Sequence, residues 1–378
     1  MNSNTFDTAD AELMRSVIQR VATGPELSKN ISYSEAKAVM HALLDGSADP
    51  VQAAVFLIGL RMKRETDEEL KGVQDALIDR TSNLTSDIPE AVVIADPYNG
   101  FNRTLQGSLF VLPVLAACGV NAYSHGVELC GPKNGVTHHT ILRALGGDPL
   151  QSMQQLAQRL ADPAIGWGYA DQSIFNPALY SLNKLRTQIV KRPVLSTTEV
   201  MLAPIKGVQK THLVTGYVHK PYRETYAMLG RHIKHDSLLL IRGTEGGIIP
   251  SFKAKAHFVR YHEDDIATEH DVILKEIGLD RNYRAQDIPE NTPAAPFHPE
   301  RIGMKWDIDA LATLCAEAGI RALEGESGAV QDAAVLGSAL IMWHTGAEKT
   351  LADAADRARS AIKSGAARAR LEAGLTHT

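Results

Sequence analysis

Leu13, Met14, Val17, Ile18 and Val21 recur at the three- and four-residue spacing of a helix with one apolar face. Ser32 with Glu35, and Thr66 with Glu69, have the S/T-x-x-E form of a capping box, and Asp49-Pro50 sets an N-cap and an N1 proline before the apolar run Val51 to Met62. The first ninety residues therefore predict four short helices. Helices of that length cannot enclose a large core alone, so their apolar faces are expected to pack on the rest of the chain or on a second copy of themselves.

After Pro89 short apolar runs alternate with helical stretches, the pattern of βαβ units and a largely parallel sheet. Ala91 to Ala95 predicts a first strand, Ser108 to Cys118 a helix and Val120 to Tyr123 a second strand; His212 to Val218, Ser237 to Ile241 and His257 to Tyr261 predict later ones. Helical spacing returns from Asn176 to Val190, and again over Ile308 to Ala318, Asp332 to Trp343 and Leu351 to Ala366. Between them Asp280 to Pro299, rich in Pro, Asn and Asp, predicts a loop excursion. No internal repeat or low-complexity tract is visible. Sheets of this kind bind ligands at the carboxyl ends of their strands.

Composition narrows the class. At 44% hydrophobic and 22% charged the chain matches ordinary globular proteins, and 378 residues suffice for two domains. The longest apolar run, Leu109 to Val120, is too short to span a bilayer as a helix, and Met1 to Glu12 is polar and acidic, unlike a signal peptide, so a cytoplasmic protein is expected. Cys118, Cys130 and Cys315 are an odd set without C-x-x-C spacing, which suits neither a disulfide framework nor a zinc site. Buried, reduced thiols are expected.

Charge is distributed unevenly. From Lys184 to Arg260 fourteen Lys and Arg stand against four Asp and Glu, whereas the whole chain carries 39 against 44. Such segregation points to an anionic ligand or a polyanion, with Lys191, Lys206, Lys210, Lys220, Arg223, Lys253, Lys255 and Arg260 as contacts; a basic surface neutralised by acidic helices or a partner subunit fits it equally. Tyr217, Tyr222, Tyr226, Phe252, Phe258 and Tyr261 sit among these cations, either as stacking platforms for single-stranded nucleic acid or as core residues at helix and strand spacing.

Residues 34 to 71, through Gln52-Ala53-Ala54-Val55-Phe56-Leu57-Ile58-Gly59-Leu60-Arg61-Met62-Lys63 to Glu68-Glu69-Leu70, resemble the amino-terminal helical domain of the anthranilate phosphoribosyltransferase family, a relative of the pyrimidine nucleoside phosphorylases. His125-Gly126, Arg186 to Arg192, Arg242-Gly243-Thr244-Glu245-Gly246 and Ala361-Ile362-Lys363-Ser364-Gly365-Ala366 continue the resemblance in order. It implies an α/β fold with a small helical domain over residues 1–88, joined by helices from about 176–200, and a large α/β domain with a mainly parallel sheet over 89–378. It also implies a cleft between the two, a homodimer through the amino-terminal helices, and a glycosyltransferase activity using magnesium and phosphoribosyl diphosphate.

The family's chemical motifs are altered here. Its glycine-rich G-T-G-G-D phosphate turn corresponds to Asp96-Pro97-Tyr98-Asn99-Gly100, where proline offers no N–H and Asn99-Gly100 is also a plain turn signal. Of its N-x-S-T signature only Ser108 is kept, and its K-H-G-N-R motif appears as Ser124-His125-Gly126-Val127-Glu128. Its H-G-x-D-G-L-D-E metal motif appears as Arg242-Gly243-Thr244-Glu245-Gly246-Gly247-Ile248-Ile249, with two isoleucines at the carboxylate positions, so no metal or cofactor is expected. Arg186 corresponds to the arginine that faces the aromatic carboxylate, and Arg186 and Arg192 suit fork-like contacts with carboxylate or phosphate; a solvated helix face is the alternative. Asp96, Asn99, Gly100, Ser108, His125, Gly126, Arg186, Arg192, Arg242 and Glu245 are thus the ligand-binding candidates, with no catalytic residue assigned. This pattern resembles the divergent, anthranilate-phosphoribosyltransferase-like branch of the family. Two expectations follow from it: a transferase acting on an unidentified acceptor, or a cleft reused for a polyanion such as nucleic acid.

Overall fold

The computed structural model describes residues 8–24, 26–253, 255–262, 267–299, 301 and 303–376; Met1 to Asp7, part of the stretch expected to carry no signal peptide, lie outside them. Helices α1 (Thr8–Val21), α2 (Tyr33–Leu44), α3 (Pro50–Lys63) and α4 (Asp67–Asp79) form the amino-terminal helical domain. Both predicted capping boxes are made: Ser32 and Thr66 accept from the N3 amides while Glu35 and Glu69 return to the cap. Asp49 accepts from the Val51 and Gln52 amides. Glu69 also accepts from the Ile31 amide and holds Lys63 at 2.7 Å in a buried ion pair, tying the entry of α2 to α4.

The chain then enters the α/β domain through β1 (Leu84–Thr85), β2 (Glu90–Ala95), α5 (Val111–Ala117), β3 (Ala122–Gly126), α6 (His138–Ala144), α7 (Met153–Ala161) and β4 (Trp167–Asp171). Four short helices follow: α8 (Gln172–Phe175), α9 (Pro177–Ser181), α10 (Asn183–Ile189) and α11 (Leu195–Thr198). After β5 (Ile205–Lys206), which pairs with β1, come β6 (Lys210–Tyr217), α12 (Pro221–His232), β7 (Ser237–Arg242), β8 (Ala256–His262) and β9 (Thr268–Val272). Helices α13 (Ile308–Leu323), α14 (Ala329–Thr345), α15 (Leu351–Lys363) and α16 (Ala366–Thr376) complete the described chain. The predicted loop over Asp280 to Pro299 contains no helix or strand, only isolated bridges such as Thr104 with Asp287. Strands β1, β4, β5 and β9 and helices α6, α7, α8, α12 and α16 were not predicted; β4, Trp-Gly-Tyr-Ala-Asp, lacks both alternation and a β-branched run.

The main sheet runs β4-β3-β2-β6-β7-β8-β9, parallel through β7 and antiparallel at β8 and β9. Helices cover both faces, so strand β2 is apolar at every position from Ala91 to Ala95. Alternate residues feed two cores: Val92 and Ile94 join α5 and the carboxyl-terminal helices, whereas Ala91, Val93 and Ala95 join the core that continues into α1–α4. Among the described residues no helix is long and apolar enough to cross a membrane. Cys118, Cys130 and Cys315 are free and buried.

Strand order fixes the place of the site. From β2 the chain builds outward through β3 to β4, then returns to β6 on the other side of β2 and builds outward through β7. The reversal opens a crevice at the carboxyl ends of β2 and β6, where open α/β sheets bind ligands.

Candidate functional site

The crevice, about 170 Å³, runs between Pro97, Tyr98 and Asn99 after β2 and Gly216 to His219 at the end of β6. Arg61 of α3, Arg192 after α10 and Glu199 after α11 close it from the helical side. Arg61 lies over the Tyr222 ring, 5.1 Å from its centroid, and Arg192 is exposed at the rim. Two buried polar atoms at the crevice, Asn99 Oδ1 and Tyr217 Oη, have no hydrogen-bond partner among the described residues.

Asn99, Arg192 and Glu245 are the sequence candidates that line the crevice; the others fall behind it or beside it. Gly100 serves a turn. Its φ of +72° is left-handed, its amide donates to Pro97, and a Cβ there would lie 2.4 Å from the Gly135 carbonyl oxygen. His125 is buried, with Nδ1 2.6 Å from the Tyr98 hydroxyl, and burial pushes its pKa down to about 3. It is therefore a neutral imidazole at physiological pH and offers no cation to a ligand. Gly126 ends β3 beneath the Tyr169 hydroxyl, and Arg242 ends β7 exposed, away from the crevice.

Arg186 corrects both expectations made for it. It neither faces the crevice nor lies on a solvated helix face: it is fully buried, and its two terminal nitrogens grip Glu199 at 2.5 and 2.6 Å. The fork geometry expected for a ligand carboxylate is satisfied by one of the chain's own.

Asp96 is likewise committed. Its Oδ1 accepts from the Ile248 amide at 2.9 Å, and its Oδ2 accepts from Gln106 at 2.8 Å and from the Ser108 hydroxyl. His138 approaches both Asp96 Oδ2, at 3.3 Å, and Ser108 Oγ, at 3.1 Å, and turns its other nitrogen to Ser124 at 2.8 Å. Burial alone would raise the Asp96 carboxyl, but His138, the Ser108 hydroxyl and the Ile248 amide outweigh it and hold the group below its ordinary value. Ile248 is fully buried and Ile249 packs against the same core. No group of three or more His, Cys, Asp or Glu side chains able to hold a metal occurs among the described residues.

Glu245 sits in a folded-back turn that only glycines allow: a Cβ on Gly243 would lie 1.5 Å from the Gly247 carbonyl oxygen. Its own φ is +54°. The carboxylate accepts from the amides of Asn102, Arg103 and Thr104 at 3.3, 2.9 and 3.1 Å, from Thr104 Oγ1 at 3.3 Å and from Lys133 Nζ at 2.9 Å. Burial works against its charge, yet Lys133 and these amides keep its pKa below the ordinary value.

The polyanion candidates divide between two edges of the sheet. Lys191, Lys220, Lys253 and Lys255 are exposed towards the carboxyl edge, while Lys206, which ends β5, and Lys210, which begins β6, stand at the opposite, amino edge. Arg223 is paired with Glu269, and Arg260 lies 3.7 Å over the Trp343 ring. Tyr217, Tyr226, Phe252, Phe258 and Tyr261 are buried, which removes them as stacking platforms; Tyr222 alone is partly exposed. Arg61, Glu199, Lys133 and His138 were missed as site residues. Arg61 lay inside the motif Gly59-Leu60-Arg61, whereas the others carried no local signal.

A helical domain set against the carboxyl edge of a mainly parallel, helix-covered sheet, with a crevice at the switch of strand order, defines a two-part α/β protein with a ligand-type cleft. Comparisons with known proteins agree. Residues 15–81 match the model of the glycosyl transferase family, helical bundle domain. An anthranilate phosphoribosyltransferase of Rhodopseudomonas palustris (strain BisA53) is 24% identical over 94% of this chain and 96% of its own. An uncharacterized protein of Aquifex aeolicus (strain VF5) is 30% identical over 59% of this chain and 65% of its own length. Among solved structures, anthranilate phosphoribosyltransferase from Thermus thermophilus superposes with a TM-score of 0.71 at 20% identity, covering 96% of this chain and 98% of that one. The Saccharomyces cerevisiae protein in complex with PRPP and Mg gives 0.73 at 15%, covering 98% of each. Over nearly its whole length the chain is thus similar to anthranilate phosphoribosyltransferases, and it shares their fold.

Proposed function

We propose that this protein uses the transferase fold to hold an anionic ligand in the β2/β6 crevice and does not transfer a phosphoribosyl group from phosphoribosyl diphosphate to anthranilate. The carrying observation is the fate of the carboxylates: Asp96 and Glu245 are taken by protein donors, and Ile248 and Ile249 stand where the resemblance implies metal-holding oxygens. Magnesium requires oxygen ligands, which hydrocarbon side chains do not supply, so the residues present do not fit it. Arg61 and Arg192 support a carboxylate or phosphate ligand, and Asn99 Oδ1 with Tyr217 Oη support one that also carries a hydrogen-bond donor.

Calorimetry against phosphoribosyl diphosphate, with and without magnesium, tests this. Binding that magnesium does not strengthen, and that weakens in Arg192→Ala, is the expected result. Magnesium-dependent uptake of the intact donor, with turnover of anthranilate, sinks the reading.

Lys191, Lys220, Lys253 and Lys255 support a second reading, attraction of a nucleic-acid backbone to the same edge of the sheet. Its sign is a gel shift that weakens linearly on a log–log plot against salt, with a flatter slope in Lys253→Glu/Lys255→Glu; a salt-insensitive or absent shift removes it.

We also infer a homodimer through the helical domain. Val51, Val55, Ile58 and Met62 form one stripe along α3, and Val51 and Met62 are 72% and 74% exposed. Sedimentation of Val51→Glu/Ile58→Glu as a monomer, against a wild-type dimer, tests it. The three buried free thiols support a cytoplasmic setting.

A further inference from the structure

We infer that the loop after β2 carries an oxyanion site whose occupant is the chain's own Glu245 carboxylate, and that inorganic phosphate or a phosphomonoester takes the site when this carboxylate is withdrawn. Three consecutive backbone N–H groups, of Asn102, Arg103 and Thr104, converge on the two oxygens of one side chain. Successive amides aimed at one point form an anion-binding concavity. The Thr104 hydroxyl and the Lys133 ammonium complete it, so one carboxylate receives five donors of which one is a full positive charge.

Glu245 lies 141 to 143 positions away along the chain, on a turn between β7 and β8, and it reaches the concavity from a left-handed backbone conformation that a non-glycine residue rarely adopts. A carboxylate held by amides, a hydroxyl and a lysine stands in for a phosphate oxygen edge, which seeks the same donors. Glu245 also lines the crevice, so its side chain is the wall between the crevice and the concavity. Gly243, Gly246 and Gly247 flank it, and the wide range of backbone conformations open to glycine gives the turn a route to withdraw it.

The intramolecular carboxylate competes with any free anion at a high effective concentration. A ligand seated on Arg61 and Arg192 therefore stops at this wall, and one carrying a further phosphate must displace it. This extends the crevice reading proposed above but depends on different donors, so the two can fail separately.

The test is titration of the full-length protein with inorganic phosphate, followed by calorimetry, in wild type, Glu245→Ala, Glu245→Ala/Lys133→Met and Glu245→Ala/Arg192→Ala. Glu245→Ala is expected to bind phosphate at least about ten-fold more tightly than wild type, because the internal competitor is gone. The gain should vanish with Lys133→Met and survive Arg192→Ala. A folded Glu245→Ala that binds no better than wild type, or a gain that persists without Lys133, overturns the inference. Loss of the gain in Arg192→Ala alone would likewise reject it, assigning the anion to the crevice. Should Glu245→Ala not fold, Glu245→Gln keeps the side-chain shape. Phosphate should then raise its melting temperature more than that of wild type, and an equal response in the two overturns the inference.

Discussion

Glu199→Ala removes one half of a buried ion pair and leaves Arg186 with its guanidinium out of water and unmatched. Removing one partner of such a pair typically costs about 3–5 kcal/mol, since the remaining charge keeps its desolvation penalty and loses its compensation. Both side chains are about 1% exposed, so solvent cannot substitute for the missing carboxylate. With an unfolding entropy of about 2.1 cal/mol/K per residue, the 378-residue chain has about 0.8 kcal/mol/K, and the loss becomes a fall in Tm of about 4–6 °C. Differential scanning calorimetry at neutral pH measures it. The double variant Arg186→Met/Glu199→Leu removes both charges at similar volume and should recover most of the loss. If the single variant melts within a degree of wild type, or the double variant melts as low as the single one, Arg186 is not a buried charge held by Glu199 and the account of this side of the crevice is wrong.

Acid should destabilise the fold from near neutrality. Burial pushes the pKa of His125 down to about 3 and that of His235 down to about 4, so between those values and the ordinary 6.5 the unfolded chain takes up protons that the folded one refuses. Stability is complete above about 6.5 and declines as pH falls, by up to about 1.4 kcal/mol per pH unit for each histidine; a melting temperature flat from pH 6.5 to 5 would contradict this. Gly100→Ala must place a side chain at φ +72° and 2.4 Å from the Gly135 carbonyl oxygen, so a loss of at least about 1–2 kcal/mol in urea denaturation is expected, and an unchanged midpoint would refute the close approach. Ile248→Asp places a carboxylate at a fully buried site, out of water. It is expected to lower Tm without creating magnesium binding, whereas a magnesium-dependent rise in Tm would mean that side chain reaches the crevice.

Local chemistry in the sequence was enough for the helical domain and for the sheet's central strands. Ser32-Glu35, Thr66-Glu69 and Asp49-Pro50 cap helices through contacts two or three residues long, and Ala91 to Ala95 is apolar throughout because both faces of β2 are covered. The expectation that no metal is held at Ile248 and Ile249 came from the resemblance and from side-chain identity, because hydrocarbon side chains do not ligate a hard cation. Tertiary structure decided where each charge went. Arg186, read as a ligand contact, is satisfied by Glu199 because the turn after α10 folds the chain back on itself, and nothing in residues 186–192 specifies that partner. Lys206 and Lys210 share a run with Lys220 in sequence, yet the length of β6 separates Lys220 from Lys210 at its start and from Lys206 on β5 before it. Glu245 and the amides of residues 102–104, and Asp96 with the Ile248 amide, meet only because β2 and β7 flank β6 in one sheet. Periodicity and capping act over a few residues and survive in the linear text, whereas the partner of a buried charge is chosen by whatever donor the assembled fold brings within about 3 Å.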